Sequence, residues 1–357
     1  MLGLYAFCIF VLLGALKADN PVLPKYEPLS DELINFVNSK GIQHDVMIFI
    51  KLQPGSTWRA ALSDRFKSLG DVRKLLGARL GPNQAHKSNR PTVKHEDLRW
   101  EIPESFDSRE RWPKCLSIRK IYDESSCASS WAIGAVSAMS DRMCIKTYRN
   151  KYPVTVELSA RDLMACCEQC GFGCVGGWIG DAWDYWRDYG IVSGGGFGTQ
   201  TTCLPYPFPP CNHNPYEATK KENCSVHHYA TPKCERQCNS TSGLKYDADL
   251  RKGLKSYNVY PDAIVIQKEI WLHGPVEAVL SVYADLLNYK SGVYQHHGGE
   301  LLGAQAVRIL GWGVEEETPY WIVANSWNKD WGRNGTFKII RGQNHCGIES
   351  NVVAGLP

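Results

Sequence analysis

The chain has 357 residues, of which 43% are hydrophobic and 22% are charged, with a formal net charge of +3 at pH 7. This is the composition of an ordinary globular protein, long enough for a large core or two lobes. The small net charge, without a basic block, argues against nucleic acid as a partner. Beyond the N-terminus, no segment reaches the roughly 18 apolar residues that a membrane span requires.

The N-terminal stretch MLGLYAFCIFVLLGALKA predicts a secretory signal peptide over residues 1–18. Its apolar run is too short for a membrane span and ends in small residues, so we expect cleavage near Ala15 or Ala18. The protein is then secreted, extracellular or lysosomal. Three Asn-x-Ser/Thr sequons fit this route and predict N-glycosylation at Asn223, Asn239 and Asn334.

Residues 19–101 contain no Cys, whereas the remainder is rich in Cys. Residues 29–40 (LSDELINFVNSK) and 58–81 (WRAALSDRFKSLGDVRKLLGARLG) have helical spacing of apolar residues, and residues 81–100 look like an extended linker. A helical block ahead of a secreted, disulfide-rich body predicts a pro-segment. An independent small helical domain is the alternative.

The body, residues 102–357, has two characters. Residues 123–200 favour helices: one begins near Ser130, one has a capping box at Ser159 and Asp162, and one stops at Gly190. Residues 195–245 form a loop-rich insert, and residues 276–357 favour strands. A helical half beside a β-rich half predicts an α+β body with two lobes and a cleft between them.

The chain contains 14 Cys, and 13 remain once Cys8 leaves with the signal peptide. A secreted chain with this density forms disulfides, and the odd count leaves one thiol free or paired outside the chain. The clusters ACCEQCGFGC and CLPYPFPPC also have the composition of zinc sites, although an oxidising compartment disfavours that interpretation. We expect no metal and no cofactor. The residues alone leave the disulfide pairing open.

Several motifs in order carry a specific resemblance: DESSCASSWAIGA, CVGGW, CLPYPFPPCNHN, VANSW and HCGIES. The chain resembles the papain family of cysteine peptidases, and within it the cathepsin B-like group, over nearly its whole length after the signal. The resemblance implies a papain-like fold with a helical lobe, a β-barrel-like lobe and an occluding loop, behind a small helical pro-segment. It also implies a buried free thiol at Cys346 and six disulfides: Cys115–Cys144, Cys127–Cys174, Cys166–Cys234, Cys167–Cys170, Cys203–Cys238 and Cys211–Cys224.

Peptidase chemistry of this family needs a thiolate, a His that shuttles protons, a polar residue that orients the His and an oxyanion donor. The resemblance assigns these roles to Ser130, Gln305, Asn325 and Glu124, so only the orienting Asn is kept. Gln cannot accept a proton at neutral pH, and an ionised Glu repels an oxyanion. Ser130 acts as a serine nucleophile only with a base beside it, and a helix-capping Ser is the alternative.

The groove positions are partly kept. Gly176 and Gly177 match the substrate-binding turn, whereas Ala128 and Ala304 replace glycines and should narrow the groove. Glu349 matches the acid that favours basic side chains in this group, and Trp327 matches the cleft-wall Trp. These residues indicate either that the groove still binds peptides, or that they only maintain the fold around it.

The occluding loop keeps one His of two. His213 is present, Asn214 replaces the second His, and Asp123 matches the residue that anchors the loop. A pH-sensitive His213–Asp123 pair and a solvated loop His are both open.

These positions predict a cathepsin B-like homologue that is proteolytically inactive, with a groove that still binds peptides or inhibitors. The expected partners are peptides or proteins in the cleft, cystatin-like inhibitors and its own pro-segment, and neither nucleic acid nor membrane. The alternative is a weakly active cysteine-type endopeptidase or dipeptidyl carboxypeptidase.

Overall fold

The structure, a computed structural model, describes residues 44–61, 65–66, 68–81, 89–96, 101–150, 153–213, 223–224 and 228–357. All of these residues belong to one compact unit. No helix in these ranges is long and apolar enough to cross a bilayer. The predicted signal peptide and the predicted helix over residues 29–40 lie outside the described residues.

The helical lobe is built around the helix Ser130–Lys146, which is buried along most of its length. The helices Ala160–Cys166 and Ile179–Asp188 pack beside it. The predicted cap is present, because the backbone N–H of Asp162 donates to Ser159 Oγ at 3.0 Å. The other described helices are His44–Leu52, Leu69–Arg73, Ser108–Arg111, Tyr246–Asp249 and Ala263–His273.

The strands join one sheet in the order β1-β6-β9-β8-β7-β5-β10-β4-β2, with β3 paired to β7. The long strand β7 lies at the centre, antiparallel to β5 and β8, and its side chains are buried on both faces where the central helix packs on it. The strands predicted over residues 276–357 are confirmed. The bounds are β1 Trp58–Ala60, β2 Thr92–Val93, β3 Phe106–Asp107, β4 Lys255–Val259, β5 Val276–Tyr283, β6 Tyr289–Tyr294, β7 Leu301–Glu315, β8 Thr318–Ala324, β9 Thr336–Ile340 and β10 Val352–Leu356.

The described residues of 44–96, here called the N-terminal segment, supply both outer strands of this sheet. Strand β1 is antiparallel to β6, and β2 is parallel to β4. The helix predicted over residues 58–81 is therefore wrong at its start, and among the described residues of this range only Leu69–Arg73 is helical. The physical reason is tertiary: β1 pairs with the open edge of β6, and Trp58 is buried with its ring centroid 5.1 Å from that of Tyr294.

The six disulfides form with the pairing that the resemblance implies. Two of them, Cys127–Cys174 and Cys167–Cys170, lie in the core of the helical lobe. Cys346 is free, as the resemblance implies, but it is half-buried and not buried. Burial raises its pKa to about 12, so the thiol stays protonated.

Candidate active site

The loop Asp123–Ser129 delivers Ser130 to the first turn of the central helix. The cap residue is Ser129, whose side chain makes no capping bond. Ser130 Oγ instead accepts a hydrogen bond from the backbone N–H of Ala306 on β7, at 3.3 Å. Ser130 is fully buried. The alternative of a helix-capping Ser is therefore wrong, because the hydroxyl points across the cleft to the neighbouring strand.

Gln305 lies next to Ala306 on β7 and makes the central contacts of the site. Its Nε2 donates to Glu124 Oε1 at 2.8 Å, to Asn325 Oδ1 at 3.1 Å and to Ser326 Oγ at 3.2 Å. Ser326 Oγ also donates to Glu124 Oε1, at 3.1 Å. Three of the four predicted catalytic positions thus form one buried cluster, together with Ser326. In this cluster the amide nitrogen of Gln305 is purely a donor.

Glu124 is fully buried, and this determines its charge state. Burial raises the pKa of its carboxyl from 4.5 to about 8, a rise that the hydrogen bonds from Gln305 and Ser326 oppose and the charge of Asp123 reinforces. Its second oxygen, Oε2, is buried without a partner in the described residues. The expectation of an ionised carboxylate is therefore wrong at neutral and acidic pH, because desolvation keeps the proton on the acid.

No base lies beside Ser130 in the described part of the chain, where its hydroxyl contacts only the N–H of Ala306. His213, the His predicted in the occluding loop, does not supply one. Its Nε2 lies 3.2 Å from the carbonyl oxygen of Ser125. Burial and the charge of Arg65 lower the pKa of His213 to about 4. The geometry of a nucleophile hydrogen-bonded to a base is absent from these residues.

Residues 77–79 of the N-terminal segment cross the groove and pair with its backbone. Gly177 donates its N–H to the carbonyl oxygen of Gly77 at 2.9 Å and accepts from the N–H of Arg79 at 3.0 Å. The N–H of Ala78 donates to the carbonyl oxygen of Ala304 at 3.2 Å. Two predicted groove residues, Gly177 and Ala304, therefore bind a peptide backbone in this molecule.

The narrowing predicted at Ala128 coincides with a glycine of the segment. A Cβ added to Gly77 would lie 2.7 Å from Ala128 Cβ and 2.2 Å from its carbonyl oxygen. A Cβ added to Gly176 would lie 2.4 Å from the carbonyl oxygen of Gly77. The crossing chain therefore needs Gly at position 77, because Ala128 leaves no room for a side chain.

At the occluding-loop end, two further residues of the segment fill the groove. Arg65 Nη2 pairs with Asp123 Oδ1 at 2.9 Å, and the two side chains are only 2% and 4% exposed. Phe66 packs edge-on against Trp327, with ring centroids 5.2 Å apart, and lies 5.6 Å from the His213 ring. Trp327 is thus a cleft wall in this structure, in contact with an aromatic residue of the segment.

The predicted His213–Asp123 pair is not formed. Asp123 Oδ1 also accepts from the N–H of Ser125, and its Oδ2 accepts from Asn328 Nδ2, each at 2.8 Å. Together with Arg65, these groups give the Asp123 carboxylate three donors. His213 contacts the carbonyl oxygen of Ser125 instead of Asp123. Asn214 lies outside the described residues.

The assignment of Glu349 to substrate side chains is wrong. Its carboxylate accepts from Trp321 Nε1 at 2.8 Å, from the N–H of Gly342 at 2.7 Å and from the N–H of Asn344 at 2.8 Å. Only 4% of the residue is exposed. Both oxygens are occupied by internal donors, so Glu349 fixes the turn before it and offers no free charge to a ligand.

Sequence reasoning missed two residues of the site. Ser326 directly follows the orienting Asn325 in VANSW, so its place in the sequence could have predicted that it lies in the site. Arg65 gave no signal, because it lies within an apparent helical pattern far from the body in sequence.

The structure brings Cys211, His213 and Cys224 together, but the two Cys form a disulfide and offer no thiolate to a metal. The three sequons lie at the surface: Asn223 and Asn334 are exposed and Asn239 is half-exposed.

A helical lobe and a β-rich lobe, with a cleft residue at a helix N-terminus facing a β-strand and an Asn, define the papain type of architecture. The sequence matches the family described as papain family cysteine protease over residues 102–356. The chain belongs to this family, and its relatives place it in the cathepsin B-like group.

Two relatives illustrate the similarity. The chain is 49% identical over 332 residues to a cathepsin B-like cysteine proteinase of Schistosoma japonicum, covering 93% of this chain and 92% of the relative. It is 44% identical over 371 residues to cathepsin B-like cysteine proteinase 6 of Caenorhabditis elegans, covering 99% and 93%.

Among solved structures, a procathepsin B of Trypanosoma congolense superimposes with a TM-score of 0.70 at 36% identity, covering 92% of this chain and 98% of that one. A digestive procathepsin L 3 of Tenebrio molitor has a TM-score of 0.62 at 20% identity, covering 93% and 95%, and supports the fold alone.

Proposed function

We propose that this cathepsin B-like chain is a proteolytically inactive member of its family whose groove binds a peptide chain. The observation that carries the proposal is the Gln305 contact set. The side chain at the base position donates to three acceptors, and Ser130 has a backbone N–H as its partner in the described residues.

Nucleophilic attack and proton transfer, two steps of peptide hydrolysis, both lack the group they need. A hydroxyl without a base is a poor nucleophile, and an amide cannot carry a proton to the leaving amine. In a comparable protease triad, loss of the nucleophile or the base costs on the order of a million-fold in kcat. A protonated Glu124 can still donate a hydrogen bond, so the oxyanion position is the least damaged of the three.

Peptide or inhibitor binding needs backbone partners and walls but no nucleophile. The three backbone hydrogen bonds to residues 77–79 support this role, since a bound peptide would use the same groups of Gly177 and Ala304. Trp327 offers an aromatic wall. We propose peptides, exposed protein segments or cystatin-like inhibitors as ligands.

We further propose that residues 1–18 are a signal peptide, residues 19–101 a pro-segment and residues 102–357 the mature domain, in a secreted or lysosomal protein. An inactive chain cannot cut its own pro-segment. Another protease therefore removes it, or it stays in the groove.

The test is hydrolysis by protein freed of the segment at a protease site inserted between residues 96 and 102. A dibasic fluorogenic peptide at acidic pH should show no turnover above background. Turnover that disappears in Ser130→Ala would overturn the proposal and favour the weakly active peptidase. The triple variant S130C/Q305H/E124Q should gain activity and show that the scaffold itself is intact.

A further inference from the structure

A cavity of about 700 Å3 lies on the sheet away from the groove. Its apolar lining comes from β7, β8 and β9, with Leu310, Ile322 and Phe337. One wall is the turn Leu116–Arg119, and the other is the connection between β8 and β9. We call it the basic cavity. Its volume is that of a typical small-molecule site.

The walls of the basic cavity are fixed by local contacts. Gly335 lies at φ +81°, and a Cβ there would come within 2.4 Å of Ile121 Cγ2. The tip of the connection is a tight turn, in which the N–H of Arg333 donates to the carbonyl oxygen of Thr336 at 2.8 Å and Thr336 Oγ1 donates back to the Arg333 carbonyl oxygen at 2.8 Å. The side chains at the mouth are therefore carried on a rigid frame.

Positive charge dominates the lining. Arg109 is neutralised by a bidentate pair with Asp107, and Lys338 pairs with Glu315 at 2.5 Å. Three further cations line the cavity and form no ion pair with a carboxylate of the described residues: Arg119, Lys329 and Arg333. Arg119 uses Nη2 on the carbonyl oxygen of Arg109, at 2.6 Å, which orients its guanidinium.

Unpaired cations around a concave, partly apolar floor attract anions and hold them against the floor. Arginine guanidinium groups match the oxygens of phosphate and sulfate. The cavity is much larger than a bare oxyanion, and its lining includes Tyr320, whose ring lies 4.2 Å from the Lys338 ammonium, and the Thr336 hydroxyl, which donates to the Arg333 carbonyl oxygen and can still accept a hydrogen bond. A compact ligand with an anionic ester on a hydroxyl-rich ring fits both features.

We infer that the basic cavity binds a sugar that carries a phosphate or sulfate ester, with the ester held by Arg119 and Arg333. This site is separate from the peptide groove and does not depend on whether the groove is catalytic. The sequon Asn334 lies at its mouth, so a glycan there would meet an incoming ligand.

The test is calorimetric titration of the full-length secreted protein in an Asn334→Gln background, at about 50 mM salt to limit screening. We expect saturable binding of glucose 6-phosphate or glucose 6-sulfate, and the tighter of the two identifies the ester. Binding should weaken by at least about tenfold in R119A/R333A. The matched control R149A/K233A removes two exposed cations outside the cavity and should leave affinity unchanged.

Three results would overturn the inference: no saturable heat with either ester, affinity no higher than that of inorganic phosphate or glucose, or an equal loss in the control pair. Thermal unfolding of each variant shows whether it is folded, and R119K/R333K provides a milder pair that keeps charge while removing the guanidinium fork.

Discussion

Glu124→Gln isolates the energetic consequence of burying a carboxylic acid at the centre of the groove. The amide keeps an oxygen that accepts from Gln305 and Ser326, but it does not titrate. In the native protein the pKa of Glu124 rises from 4.5 to about 8 on folding. Below pH 4.5 both the folded and the unfolded chain hold the proton, and stability is complete. Between these values the unfolded chain ionises first, so stability is lost as pH rises.

A shift of this size corresponds to at most about 5 kcal/mol between pH 4.5 and 8. Urea denaturation with disulfides intact, followed by tryptophan fluorescence at several pH values, measures it. The native protein should lose several kcal/mol more than Glu124→Gln over that range. Asp141 and Glu277 are other buried acids with raised pKa values, but they are present in both proteins and cancel in the difference. The exposed variant Glu104→Gln should follow the native curve. Parallel pH curves for the native protein and Glu124→Gln would refute the reasoning.

Three further changes test the contacts of the groove. Arg65→Ala removes the buried cation that pairs with the Asp123 carboxylate and should lower the free energy of unfolding by about 3–5 kcal/mol. The expected signs are a lower denaturation midpoint and faster proteolysis within the N-terminal segment. The control Arg59→Ala, at an exposed residue, should change neither. Gly77→Ala places a methyl group against Ala128 and should also expose the N-terminal segment to proteolysis. The control Gly70→Ala should not, because its new Cβ would meet only Ser68 Oγ, at 3.6 Å. Equal resistance of the two variants to proteolysis would contradict the close contact between Gly77 and Ala128. Glu349→Gln removes one acceptor oxygen from a network of three donors and should lower the free energy of unfolding by about 1–3 kcal/mol. The preference of the groove between basic and neutral peptides should not change. A selective loss of affinity for basic peptides would show that Glu349 has a binding role.

The fold could be predicted because its signals are local or carried by motifs. The Ser159 cap, the stop at Gly190 and the strand-favouring runs of β7 and β8 all lie within short stretches of sequence. The N-terminal segment behaved differently. Residues 58–60 have helical spacing in sequence, yet they form a strand because β6 presents an unpaired edge, and no local pattern reports a partner more than 200 residues away.

The charge state of Glu124 could not be predicted for a related reason, since it also depends on the folded structure. Sequence reasoning took Glu124 as an ionised acceptor, because a carboxyl group with its ordinary pKa is charged at neutral pH. The complete burial that raises this pKa exists only in the folded site, where Glu124 lies against Gln305 and Ser326. Glu349 was misassigned in the same way, since its donors lie on a separate strand and in a turn.

The contacts also show why positions 124, 130 and 305 depend on one another. The amide nitrogen of Gln305 donates to both Glu124 and Asn325. A neutral His at this position has a single ring N–H and could donate to only one of these two acceptors. Changing Gln305 to His alone places an imidazole beside the buried Glu124 carboxyl group but leaves the hydroxyl of Ser130 in place of a thiol. Changing Glu124 to Gln alone sets two amides side by side and leaves Ser130 without a base. Appreciable activity should therefore require at least the changes at positions 130 and 305 together, and appreciable hydrolysis by any single variant would show that the cluster is not coupled in this way.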